Sequence, residues 1–189
     1  MRISIHGSTC SGKSYLAMKI GKILNIPAFH LDDFGFYPDW SLISKELFRK
    51  RVKKITEQES WVIDGNWSKV RDIILEQVDF SIFFDLPLIL LIWRVLVRSM
   101  ARNMHIKIIS IVMPRPKPIQ GSTNIKTCLE EILELGKHAI LFKYRKKEKL
   151  KEELIQTLGN KRVIIIRNSK EVEQLLVNLT KKYRISAKY

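Results

Sequence analysis

Cysteine is scarce in this sequence. Its 189 residues include only two cysteines, Cys10 and Cys128. Their wide separation argues against a disulfide framework and suits a reducing compartment, and no Cys/His spacing typical of a zinc site occurs. Hydrophobic residues make up 46% of the chain, which argues against disorder. The length suits one domain with one substantial core, and we expect a single domain over 1–189.

Long uninterrupted apolar runs are also missing. The most apolar stretch, 82–97, is broken by Asp85, Pro87 and Arg94 and is too short to span a bilayer. The N-terminus lacks the layout of a signal peptide, because a strand-like segment directly follows Met1-Arg2. We therefore expect a cytoplasmic protein without a membrane partner.

Acidic residues are few in the second half of the chain. Residues 1–93 hold 12 Lys and Arg against 11 Asp and Glu, a net charge of +1, whereas residues 94–189 hold 22 against 8, a net charge of +14. The two halves together give the +15 of the whole chain. Such a positive field favours anionic partners, so the charge leaves nucleic acid open as a partner beside a nucleotide.

Strand-like and helix-like segments alternate along the sequence. The predicted strands are 3–5, 28–31, 61–63, 80–84 and 163–166. The predicted helices cover 13–24, much of 41–59, 69–77, 87 to about 102, about 126–158 with a break, and a last segment that Ser169 caps. This alternation predicts a three-layer, doubly wound α/β/α fold around a mostly parallel five-stranded sheet, with a lid-like insertion at about 103–125.

A glycine-rich segment follows the first predicted strand. It matches the pattern G-x-x-x-x-G-K-[ST] of a P-loop with the residues Gly7, Ser8, Thr9, Cys10, Ser11, Gly12, Lys13 and Ser14. Glycines let the backbone turn so that its N–H groups face phosphate oxygens, and the following helix adds its positive N-terminal end. The segment predicts an ATP site, with Lys13 on the β- and γ-phosphates and Ser14 on Mg²⁺.

Carboxylates stand where predicted strands end. In a doubly wound sheet, ligands bind at these carboxyl ends. Asp64 directly follows an apolar strand and is the preferred partner of Mg²⁺, while Asp33 is the preferred base, with Asp32 as a close rival. Asp85 also follows an apolar strand, and two alternatives stay open for it: a metal-site carboxylate, or a structural cap or ion pair.

Three arginines recur at four-residue spacing after that strand. On a helix, Arg94, Arg98 and Arg102 form one stripe. A stripe of guanidinium groups beside a nucleotide site would bind and screen phosphate charge. The alternative is a solvated basic face, and it weighs more for Arg102 than for the other two.

The order of these motifs resembles the adenylate-kinase-like small P-loop kinases. It is most similar to bacterial proteins described as DNA-topology-modulation proteins, or FlaR-like proteins. The residues that carry the resemblance are Gly7–Ser14, His30-Leu31-Asp32, Trp40, 61–67, 84–87 and Trp93-Arg94-Val95-Leu96-x-Arg98. The resemblance covers residues 1–102 well and continues loosely through Arg145 to the final strand and helix.

The resemblance implies where nucleotide and acceptor would bind. ATP would lie on the P-loop, with Arg94, Arg98 and Arg145 on its phosphates. The acceptor would lie near Asp32, Asp33 and Asp64-Gly65-Asn66, with a lid after Arg98. The string Asp32-Asp33-Phe34 also resembles nucleoside kinases, in which an aspartate accepts the proton of a sugar hydroxyl. Relatives carry a polar lid with arginines, whereas 106–113 is largely apolar here.

Three functions compete at this point. The first is an ATP-dependent phosphotransferase that moves the γ-phosphate to a small nucleoside, nucleotide or related metabolite, with Lys13, Asp33 and Arg98 as its catalytic residues. The second is a nucleotide-dependent, DNA-binding or topology-modulating regulatory protein with little turnover, which the basic second half would suit. The third is a P-loop hydrolase without an acceptor. The sequence favours the kinase.

Overall fold

A computed structural model describes residues 1–37, 41–103 and 125–186 of the chain, without the side chains of 101–103, 125–127 and 184–186. The strands are β1 (Arg2–Gly7), β2 (Ala28–His30), β3 (Trp61–Asp64), β4 (Phe80–Phe84) and β5 (Val163–Ile166). The helices are α1 (Lys13–Leu24), α2 (Leu31–Phe34), α3 (Lys45–Thr56), α4 (Arg71–Gln77), α5 (Leu88–Asn103), α6 (Ile125–Leu141), α7 (Lys147–Leu158) and α8 (Ser169–Ser186). Trp40 and the predicted lid, except for its two end positions, lie outside the described residues.

The five strands form one parallel sheet in the order β2-β3-β1-β4-β5. In the central strand, Ile3 pairs with Val62 on one side and with Phe80 on the other. Strands β2 and β3 lie on one side of β1, and β4 and β5 lie on the other, which is the doubly wound arrangement. The prediction of a three-layer α/β fold with a five-stranded parallel sheet is therefore confirmed. The second strand is one residue shorter than predicted, because Leu31 begins α2.

Two apolar clusters lie on opposite faces of the sheet. Alternate strand residues point to opposite faces, so Trp61 and Ile63 enter one cluster and Val62 enters the other. The first cluster packs against α3, α4 and α7, and the second against α1, α5, α6 and α8. Both faces are covered by helices, which explains why the predicted strands are continuous apolar runs. Among the described residues, no helix combines the length and the apolar character needed to cross a membrane.

The start of α8 differs from the prediction that Ser169 caps it. Ser169 is the first residue of the helix, and Asn168 provides the cap: its Oδ1 accepts a 3.0 Å hydrogen bond from the backbone N–H of Glu171. In return, Asn168 Nδ2 donates to Glu171 Oε1 at 2.7 Å. This reciprocal pair resembles a capping box. The sequence prediction was wrong here because it overlooked the glutamate three positions after the asparagine.

The helical stretch predicted for about 126–158 is interrupted by one π turn. Residues Phe142–Lys146 form this turn between α6 and α7, which confirms the expected break. Directly after it, Lys147 Nζ donates a 2.7 Å hydrogen bond to Asp85 Oδ1, just beyond the end of β4. Of the two alternatives for Asp85, the structure therefore shows the ion pair.

Candidate active site at the carboxyl edge of the sheet

The glycine-rich segment forms a tight turn between β1 and α1. Gly7 has a φ of 148°, and a Cβ at this position would lie 2.7 Å from the Cβ of Phe84. Gly12 precedes α1 with a φ of 98°, which side chains rarely allow. Gly7 requires glycine because the loop folds closely against β4, and Gly12 requires it because of its positive φ at the start of the helix. The backbone thus has the nest-like course that phosphate-binding loops need.

Two hydroxyl groups in this loop are buried without a hydrogen-bond partner. Ser8 and Ser11 expose 2% and 1% of their surface, and the Oγ atoms of both lack a hydrogen-bond partner within the part of the chain that the structure describes. Buried polar atoms are rarely left unsatisfied, because each costs roughly 1–3 kcal/mol. The loop therefore fits a ligand that supplies several oxygen atoms, as a phosphate chain would. Thr9 and Cys10 are only half-buried, and Cys10 has a left-handed φ of 54°.

The ammonium group of Lys13 lies over the same loop. Its Nζ donates a 2.6 Å hydrogen bond to the carbonyl oxygen of Ser8. Burial lowers the pKa of Lys13, while the charges of Asp64 and Asp32 act in the opposite direction. Lys13 therefore lies in the electrostatic field of two carboxylates from two different elements.

Ser14, Asp64 and His30 form a polar chain beside the loop. Ser14 Oγ donates to Asp64 Oδ2 at 2.8 Å, and His30 Nδ1 contacts the other carboxylate oxygen. The strand register explains this meeting, because His30 and Asp64 are paired at the ends of β2 and β3. Asp64 is only 5% exposed, so both of its oxygens are held by protein groups.

The side chains of Ser14 and Asp64 bring two oxygen atoms together that could bind a metal ion. The described part of the chain holds no cluster of three His, Cys, Asp or Glu side chains that could bind a metal by itself. Mg²⁺ usually takes one or two protein oxygens and completes its shell with phosphate and water. The residues present, Ser14 and Asp64, therefore fit a Mg²⁺ ion that is bound together with a nucleotide.

Asn66 makes two hydrogen bonds to the backbone at the beginning of the phosphate loop. Its Oδ1 accepts a 3.2 Å hydrogen bond from the N–H of Gly7, and its Nδ2 donates to the carbonyl oxygen of Gly7. The neighbouring Gly65 carbonyl contacts His6 Nδ1 at 3.0 Å, and Arg71 Nη2 donates to the Asn66 carbonyl at 3.3 Å. Asn66 was predicted to bind the acceptor, but the structure shows its amide group holding the loop. A contact with the acceptor stays a prediction.

Asp32 and Asp33 occupy the first turn of α2 rather than the end of a strand. The indole Nε1 of Trp67 donates a 2.8 Å hydrogen bond to Asp32 Oδ1. Asp33 is exposed on the same turn. Arg51, on α3, also contacts this turn, because its Nη1 lies 3.4 Å from the carbonyl oxygen of Phe34. The charge of Asp32 is one of those that raise the pKa of Lys13.

The arginine stripe lies on α5, and its first two members reach the phosphate loop. Arg94 Nη1 donates to the Ser11 carbonyl at 2.8 Å, and its Nη2 donates to Ser169 Oγ at 3.1 Å. Arg98 Nη1 lies 3.7 Å from Cys10 Sγ. Arg94 thus joins the loop to α8, while Arg98 stands at the outer side of the loop. The side chain of Arg102 lies outside the described residues.

Arg145 lies on the π turn, where its side chain is exposed. The described contacts do not join it to the phosphate loop, so its predicted role in nucleotide binding stays a prediction. A π turn often marks a functional position in a helix. Here it also brings Lys147 within reach of Asp85.

Sequence reasoning missed the contribution of two residues. Trp67 was quoted only as part of the resemblance. His30 was expected to be a packed or hydrogen-bonded histidine rather than a metal ligand, without a link to Asp64. The usable signal for His30 was its place at the end of a strand, since the ends of neighbouring parallel strands meet at one edge of the sheet. No local signal links Trp67 to Asp32, because 35 residues separate them.

No protein-family model matches this sequence, and no curated protein matches it. Among solved structures, the chain is similar to shikimate kinase from Bacteroides thetaiotaomicron, with 14% identity, a TM-score of 0.49, and coverage of 97% of this chain and 98% of that one. It is also similar to shikimate kinase from Aquifex aeolicus, with 17% identity, a TM-score of 0.47, and coverage of 99% and 98%. A gluconokinase from Sinorhizobium meliloti gives 15% identity, a TM-score of 0.47, and coverage of 98% and 96%.

These likenesses carry no argument about substrate, because identity is low and each TM-score is below 0.5. The fold assignment rests instead on the strand order and the loop geometry described above. The resemblance to FlaR-like proteins is not confirmed by the comparisons. The nucleic-acid partner suggested by the basic second half likewise stays a prediction.

Proposed function

We propose that this protein is an ATP-dependent kinase that phosphorylates a hydroxyl group of a small metabolite. One observation carries the proposal: Lys13, in the phosphate loop, lies in the field of Asp64, which is hydrogen-bonded to Ser14, and of Asp32, which is hydrogen-bonded to Trp67. A phosphoryl transferase needs these three functions together, namely a phosphate cradle, a metal-binding carboxylate and a carboxylate near the acceptor.

The loop and its neighbours would bind the nucleotide. The amide groups of the loop and the hydroxyl groups of Ser8 and Ser11 would hold the phosphate chain, with Arg98 at its outer side. Ser14 and Asp64 would hold Mg²⁺, which offsets the negative charge of the phosphates. Lys13 would exchange its hydrogen bond to the Ser8 carbonyl for one to a phosphate oxygen.

Asp32 would receive the proton of the acceptor hydroxyl. We favour it over Asp33, the residue preferred from the sequence, because a hydrogen bond from the indole group of Trp67 fixes the Asp32 carboxylate. A fixed carboxylate within reach of the hydroxyl orients it toward the γ-phosphate. It accepts the hydroxyl proton as the new phosphorus–oxygen bond forms and the bond between the γ-phosphorus and the β-phosphate oxygen breaks, which releases ADP. Lys13 and Arg98 would stabilise the charge that develops on the transferred group.

The test is acceptor-dependent formation of ADP. The protein would be incubated with ATP and Mg²⁺ and a panel of sugars, hydroxy acids, nucleosides and nucleotides, with ADP measured for each. We expect at least one hydroxyl acceptor to raise ADP formation clearly above the rate in water. A rate that no acceptor changes would favour a hydrolase and contradict the kinase.

Two matched pairs of variants assign the residues. Lys13→Ala should abolish nucleotide binding or turnover and leave the fold intact, whereas Lys19→Ala, on the same helix, should change neither. Asp32→Asn should lower kcat by about a hundredfold or more, with little change in ATP binding. Asp33→Asn should retain most of the activity. If Asp33→Asn lowered kcat more than Asp32→Asn did, Asp33 would be the base, as the sequence analysis preferred.

A further inference from the structure

The exposed large apolar side chains are unevenly distributed over the described surface. Twelve of them are exposed, and eight of the twelve lie on α5, α6 and the π turn. The proposed kinase site uses none of these eight. Apolar side chains that cluster on one part of a surface commonly mark an interaction site.

On α6 these side chains form a regular stripe. Leu129, Leu133 and Ile140 are exposed by 55%, 62% and 44%, and Gly136 lies between the last two. Their spacing of four, three and four residues is that of the core positions of a coiled coil. Among the described residues, a Cβ added at Gly136 would meet no atom within 4 Å, so this position is an open notch in the stripe.

We propose that this stripe binds α6 of a second copy of the chain, in antiparallel orientation. In the register that best matches large and small residues, Leu133 enters the notch at Gly136 of the second copy, and Leu129 contacts Ile140 of the second copy. The two-fold symmetry makes each contact occur twice, which is how the interface of a homodimer is built. A glycine opposite a leucine also lets two helices approach closely.

The charges beside the stripe favour the same arrangement. Glu130 and Lys137 are exposed on one flank of α6, seven residues apart. In the antiparallel register, Glu130 of each copy faces Lys137 of the other, so both copies gain two opposite-charge contacts. The other flank, with buried Ala139, faces the protein's own core. In a parallel pair, Gly136 would lie opposite Gly136, and Glu130 and Lys137 would face positions 125 and 132 of the other copy, both isoleucines, so neither charge would gain an opposite partner. The charges therefore favour the antiparallel dimer.

Sedimentation equilibrium with the full-length chain tests the proposal. At about 0.15 M salt, where long-range repulsion between two +15 chains is screened, we expect a concentration-dependent dimer. Glu130→Lys and Lys137→Glu should each weaken the dimer by about tenfold or more, because each places like charges together. An equimolar mixture of the two variants should restore dimers that contain one copy of each.

Two further variants separate the interface from the fold. A Cβ at position 136 meets no described atom within 4 Å, and Gly136→Leu improves helix propensity. Its side chain fills the notch, so the variant should give a monomer of undiminished thermal stability. Glu152→Lys, an equal charge change at an exposed position of α7, should leave the dimer intact. A wild-type chain that stays monomeric at all concentrations, as it would if segment 104–124 occupied the stripe, overturns the proposal. A dimer that survives all three α6 variants also overturns it.

Discussion

Trp67 and Asp32 are joined by a 2.8 Å hydrogen bond from the indole Nε1 to the carboxylate Oδ1. The indole ring is itself fixed by edge-to-face contacts with Phe36 and Phe48, whose ring centroids lie 5.6 Å and 5.0 Å away. Gly35 makes room for it, since a Cβ there would lie 2.9 Å from the ring. The position of one carboxylate at the proposed acceptor site is therefore set by an aromatic cluster.

Replacing Trp67 by phenylalanine should separate this positioning role from packing. The Trp67→Phe variant keeps an aromatic ring but loses the hydrogen bond to Asp32. A hydrogen bond to a charged group is worth roughly 1.5–3 kcal/mol, so we expect kcat to fall by about tenfold or more. The KM for ATP should stay constant because the phosphate loop is untouched. Steady-state kinetics with the identified acceptor checks this.

The matched control is Trp93→Phe, which changes a tryptophan exposed on α5. It should leave kcat and KM unchanged. If Trp67→Phe reduced only the thermal stability and not kcat, Trp67 would be a packing residue alone, and the assignment of Asp32 as the base would lose its support.

His30 should affect the binding of metal rather than the binding of nucleotide. It contacts one oxygen of Asp64 while Ser14 contacts the other. Loss of a group that orients a metal-binding carboxylate typically costs 10- to 100-fold in metal affinity, so His30→Asn should weaken Mn²⁺ binding by about tenfold. The affinity for ATP measured in EDTA should not change.

Mn²⁺ binding followed by electron paramagnetic resonance, with ATP present, measures the effect directly. His138→Asn is the matched control, since His138 is exposed on α6. Equal Mn²⁺ affinities for wild type and His30→Asn would show that Ser14 and the phosphates orient Asp64 without the histidine. Failure of the wild type to bind Mn²⁺ with ATP would instead count against the proposed kinase.

The sequence predicted the sheet and the phosphate loop because both depend on local patterns. Continuous apolar strands such as 80–84 and the spacing of Gly7, Gly12 and Lys13 can be recognised without tertiary information. The two hydrogen bonds between Asn66 and Gly7 could not be foreseen. The two residues are 59 positions apart, and an asparagine side chain can bond to many different donors and acceptors. Asp32 and Asp33 were placed at a strand end because four-residue α2 is too short to show helical periodicity.

Asp85 and Lys147 should stabilise the fold rather than bind metal. Their side chains expose only 15% and 12% of their surface, and the nitrogen and oxygen lie 2.7 Å apart. Burial lowers the pKa of Lys147, but hydrogen bonds to Asp85 and Glu148 outweigh that effect and raise it overall. Without Asp85, Lys147 keeps its contact with Glu148, whose side chain is 61% exposed and compensates the buried charge less well. We expect Asp85→Asn to reduce the free energy of unfolding by about 3 kcal/mol.

Chemical denaturation measures this loss, and the double variant Asp85→Asn/Lys147→Met should recover much of it because no charge is left unpaired. Mn²⁺ affinity in the presence of ATP should be the same in Asp85→Asn as in the wild type. If Mn²⁺ binding were lost while stability stayed constant, Asp85 would be the metal-site carboxylate that the sequence also allowed.

The stability of the protein should fall in weak acid because of His6. Its side chain is 2% exposed on β1 and contacts the Gly65 carbonyl and Ser4 Oγ. Burial, followed by the charge of Arg71, lowers the pKa of His6 from 6.5 to about 3. Below pH 6.5 the unfolded chain therefore binds a proton at this histidine that the folded protein does not bind. The contribution is fully present above pH 6.5 and is lost as the pH falls toward 3.

The size of this effect follows from the two pKa values. A difference of roughly 3.5 pKa units corresponds to a loss of up to about 5 kcal/mol, with a slope near 1.4 kcal/mol per pH unit. Urea denaturation between pH 4 and 8 measures the free energy of unfolding of wild type and His6→Gln. The carboxylates titrate in both proteins, so the difference between the two curves reports the effect of the histidine. The variant is less stable at pH 8, because glutamine fits the site less well, but its stability should depend less steeply on pH. His138→Gln should keep the wild-type slope. Parallel curves for wild type and His6→Gln would show that His6 takes up its proton at the same pH in the folded protein as in the unfolded chain, which contradicts the lowered pKa.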